Sequence, residues 1–134
     1  GEITIVTPNL AESGKHSYGL IGPDKVPVIC LPGDPVGNYL SAEIFIRPLI
    51  LKMLARQVIQ RPVKKIKLSK AISSVSGKMQ YVRASINSDG QVTPLSDQES
   101  ITTLSFTDCL VLVNEKDEKL SSGDLVNVMM INQE

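Results

Sequence analysis

The 134-residue sequence predicts two parts, an α/β part over residues 1–58 and an all-β domain over residues 59–134. In the first part, short apolar runs precede one long stretch of apolar residues at helical spacing, which is typical of the tail of an α/β layered domain. In the second part, short strand-like runs alternate with Gly, Asn, Asp and Ser turns, which indicates a small β-domain. At roughly 70 residues, this domain is near the lower limit for folding alone.

Three strands are predicted before the helix. Residues 2–6 (EITIV) and 18–21 (YGLI) are typical of short strands, and a loop rich in Pro, Asn, Ser and Gly separates them. Residues 22–25 (GPDK) have the composition of a turn. Residues 26–31 (VPVICL) form an apolar run, which favours a strand covered on both faces. Because strand-like residues begin at once, we expect the chain to be a fragment that lacks upstream structure.

One long helix is predicted next. Asp34 is a good N-cap, and Pro35 suits the first helical position because its fixed φ fits the first turn. Apolar residues then recur at helical spacing to about residue 55–57. Pro48 lies inside this stretch and predicts a kink or break near Phe45, since proline cannot donate the helical hydrogen bond.

The second part predicts five strands, at residues 63–68, 79–86, 92–95, 110–113 and 125–131. Turns are predicted at Gly77 and at the sequences NSDG (87–90) and SSGD (121–124). The first of these two sequences resembles a hairpin loop.

Composition and charge narrow the function classes. Hydrophobic residues make up 42% and charged residues 21%, so a packed core is expected. The formal net charge is zero, which gives no reason to predict a nucleic-acid or membrane partner. No apolar run approaches the ~20 residues needed to span a bilayer, and no signal peptide is recognisable. We therefore expect a cytoplasmic protein.

The two cysteines do not suggest a disulfide or a metal site. Cys30 and Cys109 both lie in apolar runs, so they are interpreted as small buried hydrophobic residues. With His16 as the one histidine, the usual ligand spacing of a zinc site is missing.

Basic residues are concentrated at the start of the β-domain. No acidic residue lies between positions 61 and 83, and the basic residues there are Arg61, Lys64, Lys65, Lys67, Lys70, Lys78 and Arg83. One interpretation is a strand edge protected by lysines against edge-to-edge pairing. The other is a basic surface that faces an anion. By itself, Arg83 would be interpreted as a solvated surface charge.

The turn LPGDP (31–35) is unusually rigid for a junction between a strand and a helix. A helix N-terminus offers unpaired N–H groups to an anion, and Gly33 would allow close approach of the backbone. An ordinary capped helix start is the alternative. Asp34 would compete with a phosphate for the same N–H groups, or would help to hold a divalent cation beside it. Both readings of Asp34 stay open.

Four segments resemble the MoeA family of molybdopterin molybdenumtransferases. LPGDPVGNYLSAEIFIRPLI (31–50) resembles the family's LPGNPVSA…F…F.RP block, which is the most specific match. SGKHSYGLIG (13–22) resembles its PGKP…FG loop. GKMQYVRA (77–84) and TTLSFTDCLVLV (102–113) resemble segments of its fourth domain. The resemblance covers nearly the whole chain in the same order.

The resemblance implies the end of a third domain, an α/β/α layer like that of molybdopterin adenylyltransferases, followed by a β-barrel-like fourth domain. Such proteins insert molybdate into adenylylated molybdopterin and release AMP, with Mg²⁺ involved. They work as homodimers whose active site lies between domain three of one subunit and domain four of the other. An adenylyltransferase is a further implied partner. This fragment alone would be inactive.

The resemblance also assigns substrate-binding residues, without a catalytic residue or a protein metal ligand. They are Lys15 of the PGKP-like loop, Pro32, Gly33, Asp34 and Pro35 of the PGNP-like turn, Arg83 for the oxyanion, and Ser100. Ser100 matches the family's domain-four serine only in a shifted alignment, because the alignment without gaps brings Gln98 to that place.

Several positions depart from the family's pattern, and they keep a second function open. The departures are Ser13, His16, Asp34 and Gly37. They favour a non-catalytic, gephyrin-like relative that binds peptides as a scaffold, whereas Lys15 and Arg83 favour the enzyme. A third alternative is that the β-domain is a dimer-forming module.

Overall fold

The computed structural model describes residues 17–31, 35–73, 77–98, 100–117 and 119–131. The predicted strand at residues 2–6 lies outside this part. A first section holds strands β1 (Ser17–Ile21) and β2 (Val26–Cys30) and one helix in three segments: α1 (Pro35–Ser41), a π turn (Ala42–Ile46) and α2 (Arg47–Met53). The remaining elements are β3 (Val63–Lys67), β4 (Ile72–Ser73), β5 (Gln80–Ile86), β6 (Val92–Pro94), a 3₁₀ helix (Ile101–Phe106), β7 (Cys109–Val113), β8 (Lys119–Leu120) and β9 (Leu125–Met130). An α/β part followed by a β-domain is the predicted fold class, which is confirmed.

Strands β1 and β2 form an antiparallel hairpin. The predicted turn at 22–25 is confirmed, since the Lys25 N–H donates to the Gly22 carbonyl at 3.1 Å. Gly22 adopts a φ of 76°, in the left-handed region that glycine enters without strain. The predicted burial of β2 on both faces is wrong, because Val26 is 54% exposed and Cys30 is also exposed. An apolar run indicates a strand but not the layer that covers it, and within the described residues β2 pairs with β1 alone.

The helix is distorted where Pro48 predicted a distortion. It begins at Pro35, as predicted, and a π turn at residues 42–46 precedes the proline. The Arg47 N–H donates to the Ala42 carbonyl, five residues earlier instead of the usual four. The helical hydrogen-bond spacing therefore lengthens just before Pro48, which has no N–H to donate. The helix does not break, and it ends at Met53, slightly earlier than expected. The Asp34 cap lies outside the described residues.

The five predicted strands of the β-domain are confirmed as β3, β5, β6, β7 and β9. They form one antiparallel sheet in the order β3-β9-β7-β5-β6. The edges of this sheet meet at one end, because Leu68 after β3 forms a bridge to Val92 of β6. The Ser69 N–H donates to the Val92 carbonyl at 2.9 Å at the same place. The sheet is therefore curled and barrel-like. The two-residue strands β4 and β8 and the 3₁₀ helix were not predicted.

The sheet is apolar on both faces. Val111 and Val128 point to the inner face, where they belong to the core of the β-domain. Leu110 and Met129 point to the outer face, and Val36 and Leu40 of α1 cover them. The helix is thus packed directly against the β-domain.

Substituting Leu110→Ala tests this packing. Leu110 is fully buried in the outer cluster, so we expect the free energy of unfolding to fall by about 2–5 kcal/mol. Leu125→Ala is the matched control, because Leu125 is 63% exposed and its loss should change stability by less than about 0.5 kcal/mol. Urea denaturation of both variants measures the difference. Equal effects would contradict the buried outer face.

Candidate functional site

Arg83 lies in the middle of β5, opposite Leu110 of β7, and has no exposed surface. Interpreting it as a solvated surface charge is therefore wrong. The strand places Arg83 on the outer face of the sheet, where residues 97–98 and 100–107 fold over it. We call these residues the covering segment. Sequence reasoning missed this burial because the covering segment has no strand or helix pattern of its own.

The guanidinium group of Arg83 donates hydrogen bonds to the covering segment. Its Nη2 is 3.1 Å from the Asp97 carbonyl, 2.5 Å from the Gln98 carbonyl, 3.3 Å from the Ser100 carbonyl and 3.1 Å from Thr103 Oγ1, and its Nη1 is 3.2 Å from Thr107 Oγ1. Hydrogen bonds from a charged donor are stronger than neutral ones. Because a buried charge is costly unless dipoles surround it, these acceptors stabilise the buried cation.

The side-chain amide of Gln98 binds the backbone of Arg83 in return. Its Oε1 accepts from the Arg83 N–H at 2.8 Å, and its Nε2 donates to the Arg83 carbonyl at 2.8 Å and to the Leu95 carbonyl at 2.7 Å. β6 has already ended at Pro94. The amide of Gln98 therefore acts like a peptide group placed between the ends of two strands.

Ser100 forms the N-terminal cap of the 3₁₀ helix. Its Oγ accepts from the Thr102 N–H at 3.2 Å and lies 2.6 Å from Thr102 Oγ1. Leu104 of the same helix packs in the outer cluster with Val36 of α1. The 3₁₀ helix and α1, which begins at Pro35, are therefore neighbours.

Of the predicted site residues, the structure brings Arg83 and Ser100 together. The role of every predicted site residue in ligand binding stays a prediction. Lys15, Pro32, Gly33 and Asp34 lie outside the described residues. Pro35 is exposed at the start of α1.

A second arginine, Arg61, is half-buried and forms an ion pair that sequence reasoning missed. Arg61 Nε is 2.7 Å from Glu43 Oε2, Arg61 Nη2 is 3.4 Å from Glu43 Oε1, and Arg61 Nη1 donates to the Ile131 carbonyl. The two side chains are 13% and 15% exposed. The pair ties the π turn to the end of β9. In the sequence, Arg61 was noticed only as a member of the basic run, and that run gives no indication of its partner Glu43.

Burial controls the ionisation of three side chains near the sheet. Burial raises the pKa of Cys109 to about 12, with a smaller contribution from Asp108. Burial also raises the pKa of Tyr81 and of Tyr39, and the charge of Glu43 adds to the effect on Tyr39. Cys109 is a buried apolar residue, as predicted. The same prediction for Cys30 is wrong, because Cys30 ends the exposed hairpin.

Three lysines of the basic run lie on an edge of the sheet. Lys64, Lys65 and Lys67 are exposed on β3, which is an edge strand. This is the arrangement expected of lysines that protect an edge from pairing. Arg83 does not belong to that surface, because it is buried.

Two features are absent from the described part of the chain. There, no group of three or more His, Cys, Asp or Glu side chains could hold a metal ion. In the same part, no helix is long and apolar enough to cross a membrane.

Comparison with known proteins gives a consistent result. Residues 65–131 match the family model of the MoeA C-terminal region (domain IV). The chain is 27% identical over 143 residues to molybdopterin molybdenumtransferase 1 of Mycobacterium tuberculosis, which covers 99% of this chain and 34% of that protein. A 58-residue stretch, 43% of the chain and 14% of the relative, is 36% identical to molybdopterin molybdenumtransferase 2 of the same organism.

Solved structures agree in fold. A molybdopterin biosynthesis MoeA protein from Pyrococcus horikoshii superposes with a TM-score of 0.79 at 23% identity, over 97% of this chain and 32% of that one. A molybdenum cofactor biosynthesis protein from Pyrococcus furiosus gives a TM-score of 0.78 at 18% identity, over 96% of this chain and 46% of that one. The chain spans about a third of the length of the first of these relatives.

Substituting Glu43→Gln tests the tie between the helix and the β-domain. The change leaves the largely buried Arg61 without its carboxylate, so we expect the free energy of unfolding to fall by about 1–3 kcal/mol. Glu115→Gln makes the same change of charge at an exposed site and should have an effect close to zero. Chemical denaturation gives both values. If the two variants are equally stable, the pair does not hold these elements together.

The two thiols should differ in reactivity. At pH 8 a disulfide reagent should modify Cys30 in the native chain and leave Cys109 intact, because the thiolate is the reactive form and burial raises the pKa of Cys109 to about 12. In denaturant both thiols should react. A Cys30→Ser variant should lose the native-state reaction altogether. Rapid modification of Cys109 in that variant would show that the site is open to solvent.

Proposed function

The chain belongs to the MoeA C-terminal (domain IV) family, and from this premise we propose that it is part of a molybdopterin molybdenumtransferase of molybdenum cofactor biosynthesis. The parent protein would insert molybdate into adenylylated molybdopterin and release AMP. The family match over residues 65–131 and the resemblance of the LPGDP block support this proposal. Since the chain spans about a third of its relatives, the activity belongs to the longer protein.

One observation carries the proposal. The resemblance assigns Arg83 to the oxyanion and Ser100 to substrate binding, and the two residues are 17 positions apart in the chain. In the structure Arg83 Nη2 donates to the Ser100 carbonyl at 3.3 Å. Two residues expected to bind the substrate are therefore joined in one cluster.

The contacts also support the shifted alignment that gives Ser100, rather than Gln98, the role of the family's serine. The amide of Gln98 is engaged by the backbone of Arg83 and Leu95. The hydroxyl of Ser100 lies at the start of the 3₁₀ helix, paired with Thr102. A hydroxyl in that place can donate to an oxyanion without opening the sheet. A direct contact of the anion with Arg83 would have to replace hydrogen bonds that the guanidinium already makes.

The other walls of the site follow from the same proposal. The LPGDP turn (31–35) and Lys15 would bind phosphate or molybdate, with the helix dipole of α1 favouring the anion. We propose that residues 1–58 belong to the third domain and residues 59–134 to the fourth, and that a second copy completes the cleft. Magnesium stays a prediction from the resemblance.

The test is molybdate-dependent AMP release from adenylylated molybdopterin by the full-length parent. We expect release in the wild type, and a loss of about 2–4 kcal/mol of transition-state stabilisation in Arg83→Ala, because the side chain holds the segment that carries Ser100 and its loss would misplace an anion-stabilising group. Ser100→Ala, in which the hydroxyl donor is removed and the carbonyl kept, should weaken release in the same direction.

No release from a folded wild-type parent would contradict the enzyme and favour a scaffold in which Ser13, His16, Asp34 and Gly37 have replaced the family's residues. Thermal unfolding with and without molybdate provides the independent check. A ligand that binds only the native state raises the stability of that state, so molybdate should raise the unfolding temperature of the enzyme. A scaffold that does not bind molybdate should unfold at the same temperature with and without it.

A further inference from the structure

We propose that Arg83 and Gln98 form a reciprocal clamp that positions the covering segment, and with it the hydroxyl of Ser100, over the outer face of the sheet. The role of the clamp in anion binding rests on the function proposed above. In this arrangement Arg83 and Gln98 are positioning residues, and Ser100 presents the group that reaches the ligand.

The first half of the clamp is the guanidinium group. Nη2 alone meets the carbonyls of Asp97, Gln98 and Ser100. Carbonyls that converge in this way would repel one another without a cation between them. The buried guanidinium therefore fixes the backbone on both sides of residue 99. A lysine has a single nitrogen, so it could not reach these carbonyls and Thr107 Oγ1, the partner of Nη1, at the same time.

The second half of the clamp is the amide of Gln98. An antiparallel ladder would continue from the Ala84–Pro94 pair to Arg83 and Leu95. One bond of that rung forms, since the Leu95 N–H donates to the Arg83 carbonyl at 3.0 Å. The second bond of the rung, from the Arg83 N–H to the Leu95 carbonyl, is replaced by two bonds to the Gln98 amide. The Arg83 N–H donates to Gln98 Oε1, and Gln98 Nε2 donates to the Leu95 carbonyl. The amide is thus inserted into the rung.

The two halves fasten the same short segment from opposite directions. The side chain of Arg83 binds the backbone of Gln98, and the side chain of Gln98 binds the backbone of Arg83. The chain leaves the sheet at the opened rung and returns over Arg83, where Thr103 and Thr107 accept from the guanidinium. The 3₁₀ helix begins three residues after Gln98, and Ser100 is its N-cap. The position of that hydroxyl therefore depends on both contacts.

The experiment uses the full-length parent with Gln98→Ala, Arg83→Lys and the double variant. Gln98→Ala removes an amide whose described contacts are all to Arg83 and Leu95. Ser69→Ala is the matched control, because it removes a 2.7 Å side-chain hydrogen bond to Thr93 elsewhere in the same domain. Two properties are measured in each variant: amide hydrogen exchange, and the KM and kcat for molybdate in AMP release.

Amide exchange at residues 100–106 should become about tenfold faster in each single variant, the scale expected when a local opening loses roughly one net hydrogen bond. Exchange at β7 and β9 should stay at the wild-type rate. The double variant should be little worse than either single variant, since the clamp needs both halves. The KM for molybdate should rise in both single variants and stay unchanged in Ser69→Ala.

Two results would overturn the clamp. The first is wild-type exchange at residues 100–106 in Gln98→Ala. The second is a raised KM in Arg83→Lys with an unchanged KM in Gln98→Ala, which would mean that the guanidinium contacts the anion directly. If Arg83→Lys unfolds the β-domain, the exchange pattern of Gln98→Ala decides alone. If the wild-type parent releases no AMP, the proposed function fails, and exchange still supports or overturns the clamp.

Discussion

The sheet of the β-domain is apolar on both faces, and the rest of the structure follows from the need to cover them. Strand β7 shows the constraint most clearly, since Val111 faces the inner core and Leu110 the outer cluster, both without exposed surface. Curling the sheet until Leu68 meets Val92 covers the inner face. The outer face cannot be covered by the sheet itself, so α1 and the covering segment pack there. The helix is thereby held to the β-domain by apolar burial in addition to chain connection.

Two arginines are largely shielded from solvent, Arg83 fully and Arg61 in part, and their partners differ in kind. Arg61 meets a carboxylate, Glu43, so its pair joins two elements that are far apart in the chain. Arg83 meets carbonyls and hydroxyls of one nearby segment. A buried ion pair adds less to stability than its geometry suggests, because desolvation offsets much of the attraction. Both arginines are better understood as fixing orientation, Arg61 that of the helix and Arg83 that of the covering segment.

The sequence predicted what local pattern and backbone chemistry control. The strands followed from short apolar runs between turn residues, and Pro48 indicated a distorted helix because a missing N–H is a local property. The exposure of Cys30 and the burial of Arg83 were predicted wrongly, since both depend on which distant element covers them. β4 and β8 have two residues each, too few to show alternation. Of the predicted site, the resemblance supplied the positions, and Lys15, Pro32, Gly33 and Asp34 lie outside the described residues.

A resemblance can bring a residue to a position without saying which atom serves the ligand. An alignment without gaps puts Gln98 where the family has serine, and on spacing alone it would inherit the serine's role. Its amide, however, satisfies the N–H of Arg83 and the carbonyl of Leu95, groups that would otherwise lose their partners at the end of the sheet. Two residues later, the hydroxyl of Ser100 caps a short helix and takes no part in the ladder. The need to satisfy the backbone therefore separates the two residues, one holding the segment and the other presented by it, and this distinction comes from geometry rather than from sequence spacing.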